Sequence, residues 1–191
     1  MKRKAIFLDR DGTLNVEVNY LHRVEDFAWI DGAPEAIKRF NEADWTVIVI
    51  TNQAGVARGF YTEAAVDALH QHMQTDLAKK GAVIDSFYYS PYHPEGSVPE
   101  FSHPSECRKP GAALFERAIS DWCIAPAESW AIGDKESDLA PARSLGMRTV
   151  LVETGHGLAE RARANADYFA ADITAAADII LAPSRSAILS T

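Results

Sequence analysis

Four short apolar runs, AIFL from Ala5, WTVIVIT from Trp45, ESWAIG from Glu128 and RTVLVET from Arg148, constrain the fold of this chain more than any other feature. Each is rich in β-branched or aromatic residues and mostly lacks polar alternation, the pattern of strands covered on both faces of a parallel sheet. AVIDSFYYS from Ala82 and ADYFAAD from Ala166 predict a fifth and a sixth strand. Helical periods lie between the runs. Thr62 is an N-cap type; Val66, Leu69, Met73 and Leu77 form one stripe, and Lys79, Lys80 and Gly81 close a helix over 62–80. Pro34 in a first turn, with Ile37 and Phe40 facing inward, predicts a helix over 33–43, and Phe115, Ile119 and Trp122 predict one over 111–122. Further helices are expected from Lys135 to Leu145 and from Ile173 to Leu181. Alternating strands and helices joined by right-handed crossovers predict an α/β fold, a three-layer, Rossmann-like parallel sheet with its site at the carboxyl ends of the strands.

A length of 191 residues suits a single domain spanning 1–191. Two irregular segments, 14–31 and the Pro/His/Ser-rich 90–110, interrupt the rhythm, and long loops in a compact domain tend to be functional. Nineteen Lys and Arg against 27 Asp and Glu give a net charge of -8, which disfavours nucleic acid and anionic membrane as partners. An anionic substrate would need positive charge concentrated locally. Only Cys107 and Cys123 occur, so no disulfide framework is implied and a reducing cytoplasm is expected. The apolar run after the basic start is too short for a secretory h-region, and no run approaches a membrane span.

The first run passes directly into Asp9, Arg10, Asp11 and Gly12. A hairpin turn fits poorly, because the run does not alternate and three charged residues precede the glycine. A calcium loop wants glycine and glutamate where Leu14 and Tyr20 stand. Projecting together from a strand end, Asp9 and Asp11 could instead hold magnesium, which takes oxygen ligands and recruits phosphates; an exposed acidic turn is the alternative. Other strand ends carry matching chemistry. Thr51 closes VIVIT and offers a hydroxyl for a phosphoryl oxygen or simply a strand cap. CRKP places Arg108 and Lys109 in the second irregular segment, where solvated charge is the ordinary expectation. In GDKESD, Asp134 ends a strand with Asp138 one helical turn on, so the two share a face unless Asp134 merely caps the helix.

Taken together, Asp-x-Asp-Gly-Thr, Thr, Lys and Gly-Asp-x-x-x-Asp, in this order over residues 9–138, resemble the four motifs of the haloacid dehalogenase superfamily. That resemblance implies the haloacid dehalogenase fold with minimal cap loops at 14–31 and 90–110. It further implies Asp9 as nucleophile forming an aspartyl-phosphate and Asp11 as general acid and base. Magnesium would be held by Asp9, the main-chain carbonyl of Asp11 and Asp134, with Asp138 supporting the site less directly. Thr51 and Lys109 would bind the transferring oxygens. FLDRDGTLN, TNQAGVARG, YHPEGSVPEF, CRKP and GDKESD are similar, more narrowly, to the D-glycero-D-manno-heptose 1,7-bisphosphate 7-phosphatases, whose relatives include histidinol-phosphate phosphatases. GVARG resembles the heptose branch. By that likeness the substrate is a small phosphosugar, cleaved during nucleotide-activated heptose synthesis, and the alternatives are a histidinol-phosphate or other small phosphomonoester phosphatase, or a non-catalytic phosphosugar binder. The likeness gives Arg10, Glu17, Val18, Asn19, Tyr20, Asn52, Gln53, Ala54, Arg108 and Lys135 as substrate contacts, and Arg58 as a binder of the phosphate that is not cleaved.

Relatives of this type often bind zinc through Cys-x-His and then Cys-x-Cys before Arg-Lys-Pro. Here those positions read Ser90, Tyr92, Ser105 and Cys107. One thiolate of four ligands does not make the usual tetrahedral site, so no zinc is expected and the loop is expected to be held by packing and hydrogen bonds. A monomer is the expectation for a domain with so small a cap.

Overall fold

The computed structural model describes residues 2–183 and places six parallel strands in one sheet. They are β1 (Ala5–Leu8), β2 (Thr46–Asn52), β3 (Ser86–Ser90), β4 (Trp130–Gly133), β5 (Arg148–Val152) and β6 (Tyr168–Ala170). The helices are α1 (Ala33–Glu42), α2 (Glu63–Lys79), α3 (Ala113–Trp122), α4 (Glu136–Ser144), α5 (Gly157–Glu160) and α6 (Ile173–Leu181). This is the layered α/β architecture expected from the apolar runs.

Both faces of the sheet are covered, which explains the missing alternation. Ile6, Leu8, Val47 and Val49 face one layer, where Ile37 and Phe40 of α1, Met73 and Leu77 of α2 and Ile173 of α6 pack on them. Ala5, Phe7, Ile48 and Ile50 face the other, against Leu114 and Phe115 of α3 and Ala142 of α4. Burying each large aliphatic side chain contributes about 1.5–3 kcal/mol, so both layers are anchored by the strands themselves.

The third expected strand begins later than AVIDSFYYS suggested. Of its first four residues, Val83 and Ile84 are taken by side chains instead: Asn41 Oδ1 accepts from the Val83 N–H, and Gln74 brackets Ile84 through its N–H and its carbonyl, while the Ala82 and Asp85 N–H groups donate to the Leu77 and Val47 carbonyls. The Asp85 carboxylate accepts from the Val47 N–H at 2.7 Å. With their backbone groups satisfied this way, these residues need no ladder. The four-residue α5, too short to show a period, was not expected.

Spatial order runs β3-β2-β1-β4-β5-β6. The chain therefore steps outward from β1 through β2 to β3 and returns to lay β4 on the other side of β1. Strand order reverses between β1 and β4, and a crevice opens at their carboxyl ends, where open α/β sheets bind ligands.

Candidate active site

Each acidic and basic residue singled out at a strand end lies around this crevice. Asp9 directly follows β1, and its N–H donates to the Ile132 carbonyl of β4 at 3.0 Å, so its backbone is held by the ladder. Thr51 sits at the end of β2, Lys109 precedes α3, and Asp134 directly follows β4. Carboxylate oxygens of Asp9, Asp134 and Asp138, all buried, lie within 4.8 Å of one another. Lys109 is 4% exposed; its ammonium donates to Asp9 Oδ1 at 2.6 Å and to the Ile50 carbonyl at 2.7 Å, and stands 2.8 Å from Asp138 Oδ1.

Asp134 is enclosed. A Cβ at Gly12 would lie 2.5 Å from its Oδ2, and one at Gly155 would lie 2.3 Å away. Both glycines also adopt positive φ, +85° and +57°, so side chains are excluded there by conformation as well as by space. The His156 N–H donates to Asp134 Oδ2 at 2.8 Å, whereas Oδ1 is buried without a hydrogen-bond partner. Asp138 does the helix capping that Asp134 might have done: its Oδ2 accepts from the Lys135 N–H at 3.0 Å.

Of the three crowded carboxylates, Asp9 and Asp138 share the Lys109 ammonium, while Asp134 has only Lys135 Nζ, 3.8 Å from its Oδ1. Burial, then Asp138, push Asp9 up to about 6 against the pull of Lys109. Burial, then Asp9 and Asp138, push Asp134 up to about 8. Lys109 is buried, yet Asp138 and Asp9 hold its pKa above the usual lysine value, so it stays charged. An oxygen-only donor set, an excess of negative charge and an orphaned buried oxygen together fit a hard divalent cation such as magnesium.

Asp11 behaves differently. Burial alone would raise its pKa, but Arg10, Asn15 and Gln53 outweigh that and hold it below the usual carboxylate range. Asn15 Nδ2 donates to Oδ1 at 3.0 Å and Gln53 Nε2 to Oδ2 at 2.9 Å. Gln53 also donates to Thr51 Oγ1 and accepts from the Tyr61 hydroxyl at 2.7 Å. Asp9, Asp11, Thr51 and Lys109 floor a cavity of about 520 Å³.

Known proteins share this fold. A family model described as HAD-hydrolase-like matches residues 106–176. The D-glycero-beta-D-manno-heptose-1,7-bisphosphate 7-phosphatase of Haemophilus ducreyi is 41% identical over 169 residues, 87% of this chain and 92% of its own length. The alpha-anomer 7-phosphatase of Photorhabdus laumondii is 41% identical over 83% of this chain and 87% of its own length. The solved structure of D,D-heptose 1,7-bisphosphate phosphatase from B. bronchiseptica, complexed with magnesium and phosphate, superposes with a TM-score of 0.84 at 31% identity, covering 93% of this chain and 98% of that one. The chain belongs to the heptose-1,7-bisphosphate 7-phosphatase family.

In this heptose bisphosphatase homologue the remaining residues expected to touch substrate divide into three groups. Glu17, Asn19, Tyr20, Ala54, Arg58, Arg108 and Lys135 line the cavity walls. Asn52 and Gln53 line it too, but their side chains are committed: Asn52 donates to the Lys109 carbonyl at 3.1 Å and accepts from its N–H at 3.0 Å, pinning the CRKP segment. Two expectations are corrected. The Arg10 side chain is 0% exposed and turned onto Asp11, away from the cavity, because an unpaired guanidinium would be costly in the core. Val18 is exposed and does not line the cavity.

Sequence reasoning missed Tyr61, His93 and His156 on the cavity wall. His156 had a usable signal, since it follows β5 at the carboxyl edge of the sheet. Tyr61 and His93 had none; tertiary neighbours alone bring them in. On one wall, Lys135 Nζ and His156 Nε2 stand 4.0 and 3.8 Å from Glu17 Oε2. On another, Arg58 Nη2 donates to His93 Nε2 at 3.4 Å and Arg108 Nη1 to the Tyr92 carbonyl at 3.4 Å. Arg58 Nε is buried without a partner, and the nearest carboxylate, Glu95, is 3.8 Å away and mostly exposed. Burial, then its neighbour Arg58, lower the pKa of Arg108, so this wall carries two poorly neutralised cations. Among the described residues no helix is long and apolar enough to cross a membrane.

Proposed function

We propose that the chain is a magnesium-dependent phosphatase that removes the 7-phosphate of D-glycero-D-manno-heptose 1,7-bisphosphate, in the synthesis of nucleotide-activated heptose. The observation that carries this reading is a cavity with two cationic ends: Lys109 beside Thr51 and Asp9 at the floor, and Arg58 with Arg108 on the wall. A substrate bearing one phosphate needs only the floor; a bisphosphate uses both ends. Glu17, Asn19 and Lys135 line the same cavity and suit the hydroxyl-rich sugar.

Asp9, Asp134 and the Asp11 carbonyl would hold magnesium, and Asp138 supports them through Lys109. The ion, when bound, neutralises phosphate and carboxylate so that like charges can meet. Asp9 Oδ attacks phosphorus as the P–O bond to the sugar breaks, and Lys109 and Thr51 Oγ1 bind the equatorial oxygens. The proton on Asp11 passes to the leaving alkoxide. In the resting site Asp11 is ionised; the approaching phosphate dianion raises its proton affinity by like-charge repulsion, so that it takes up a proton from solvent water before that step. In the second half Asp11 takes a proton from water as it attacks the aspartyl-phosphate.

The loop 90–110 works without zinc in this reading. The Tyr92 ring packs on Phe101 and His103, the latter at 4.7 Å, and Ser97 and Val98 donate their N–H groups to the Ala57 carbonyl. Elemental analysis finding stoichiometric zinc would overturn that. The protein acts as a cytoplasmic monomer. The deciding experiment for substrate is phosphate release with magnesium from both anomers of the heptose bisphosphate and from histidinol phosphate. A higher kcat/KM on histidinol phosphate would overturn the assignment.

A further inference from the structure

Among the described residues, the largest fully buried side chain belongs not to the apolar core but to Arg10. Its guanidinium wraps Asp11: Nε and Nη2 donate to Oδ1 at 3.2 and 3.0 Å, and Nη2 to Oδ2 at 2.9 Å. Nη2 also reaches the Leu21 carbonyl at 3.4 Å. On the far side, Nη1 stands 3.3 Å from His70 Nε2. Arginine has no acceptor and does not lose its proton, so Nε2 must be the acceptor and the imidazole must be neutral. Burial, with Arg10 adding to it, pushes His70 down to about 3, in agreement with that geometry.

His70 is itself immobilised. It comes from the middle of α2, is 6% exposed, stacks on Phe87 of β3 at 4.4 Å and 18°, and meets Tyr89 edge-on at 5.9 Å. Nothing in that aromatic slot requires a polar residue; a leucine or phenylalanine would pack there without desolvating a ring nitrogen. The nitrogen serves one partner, Arg10, and Arg10 serves one carboxylate, Asp11. Neither side chain lines the cavity.

We infer that Arg10 and His70 are positioning residues for proton transfer: His70 fixes the guanidinium plane, and the guanidinium fixes the rotamer of the Asp11 carboxylate. The inference rests on the proton-transfer role proposed above for Asp11. Without the His70 acceptor, Nη1 is left unpaired in a dry site and the guanidinium turns to find another partner. Asp11 then leaves its alignment, whereas the Asp9, Lys109 and Asp134 cluster, anchored by separate contacts, does not.

The test compares leaving groups. A sugar alkoxide needs a proton as it departs, and p-nitrophenolate does not, so kcat/KM on the two phosphate esters separates proton transfer from the rest of the machinery. His70→Leu and Arg10→Met are expected to lower kcat/KM on the sugar phosphate about tenfold to a hundredfold, a partial loss of the roughly 10²–10⁴-fold that a positioned acid supplies. On p-nitrophenyl phosphate they should stay within about threefold of the wild type, far below the range a missing acid would cost. His70→Gln, whose carboxamide oxygen can accept from Nη1, should restore the sugar phosphate rate. If His70→Leu does not fold, His70→Asn, too short to span the gap to Arg10, makes the same comparison from a polar side chain. Equal loss on both esters, or no loss on either, would overturn the positioning role. Asp11→Asn keeps the two layers apart. If it fails to lose the sugar phosphate selectively, the proton-transfer assignment itself falls; if it does so while the His70 variants lose both esters alike, only the positioning role falls.

Discussion

The floor of the cavity and its wall are built on opposite terms. On the floor most charged atoms have close partners: Lys109 has three, the Asp11 carboxylate has four donors, and Asp134 Oδ1 is the buried oxygen left without a hydrogen bond. On the wall, Arg58 and Arg108 touch little beyond a ring nitrogen and a carbonyl. A saturated floor is preorganised for one chemistry, since its groups need no rearrangement when charge moves. An unsaturated wall holds its hydrogen-bonding capacity for the ligand and so carries selectivity. Asp9, Thr51 and Asp134 of the floor stand at strand ends; the two wall arginines come from the loop after β2 and the segment after β3.

If that division holds, changes on the floor should abolish turnover and changes on the wall should alter preference. Asp9→Asn removes the nucleophile with little change in volume, and kcat on any phosphomonoester should fall on the order of 10⁴-fold. A measurable burst of acyl-phosphate in that variant would break the assignment of the floor. Asp134→Asn, or removal of divalent ions by a chelator, should cost about 10³-fold, with magnesium restoring the chelated wild type but not the variant. On the wall, Arg58→Ala and Arg108→Ala should each lower kcat/KM on the bisphosphate about tenfold to a hundredfold, as expected for a lost charge-assisted hydrogen bond. The corresponding sugar 7-monophosphate should be cleaved by these variants at close to the wild-type rate. Equal loss on both substrates would place these arginines in the floor's company.

The smallest effect is in stability. In the magnesium-free protein Asp9 and Asp134 keep their protons up to about 6 and about 8, whereas the unfolded chain releases them near the ordinary 3.8. The folded state therefore binds more protons through that window, and its stability falls as pH rises across it. Chelated protein should melt a few degrees lower at about pH 8 than at about pH 5, and added magnesium should raise Tm more at the higher pH. A magnesium-induced shift of the same size at both pH values would count against the cluster as the ion's site.

What could be read from the sequence follows the same line between floor and wall. Asp9, Thr51 and Asp134 were legible because apolar strands deliver them to one edge, and strands buried on both faces are the least ambiguous signal in the chain; Lys109, in the irregular segment before α3, was legible only through the motif order. Gly12 was legible beside them, though its reason, the approach of Asp134, was not. Arg10 was misread as a substrate contact, because adjacency to Asp9 says nothing about which way a side chain turns. His70 was read as an unremarked member of a helix; its importance depends on Phe87, Tyr89 and Arg10, distant in sequence. Tyr61 and His93 were invisible for the same reason. The start of β3 was misjudged because side chains from α1 and α2 answer backbone groups that a sequence window leaves open.

The enclosure of Asp134 by Gly12 and Gly155 bears on the order in which the protein is made. Its wall comes from the turn after β1 and the turn after β5, 143 positions apart, and Thr154 Oγ1 ties the two by donating to the Gly12 carbonyl at 2.7 Å. A nascent chain that has emerged only as far as α4 already carries Asp9, Asp11, Lys109, Asp134 and Asp138, but one side of the enclosure of Asp134 is still missing. Domains form as synthesis proceeds from the amino end, so the enclosure of Asp134 is completed only once the turn after β5 has docked. A chain that stops at α4 thus holds the reagents without the whole of the vessel.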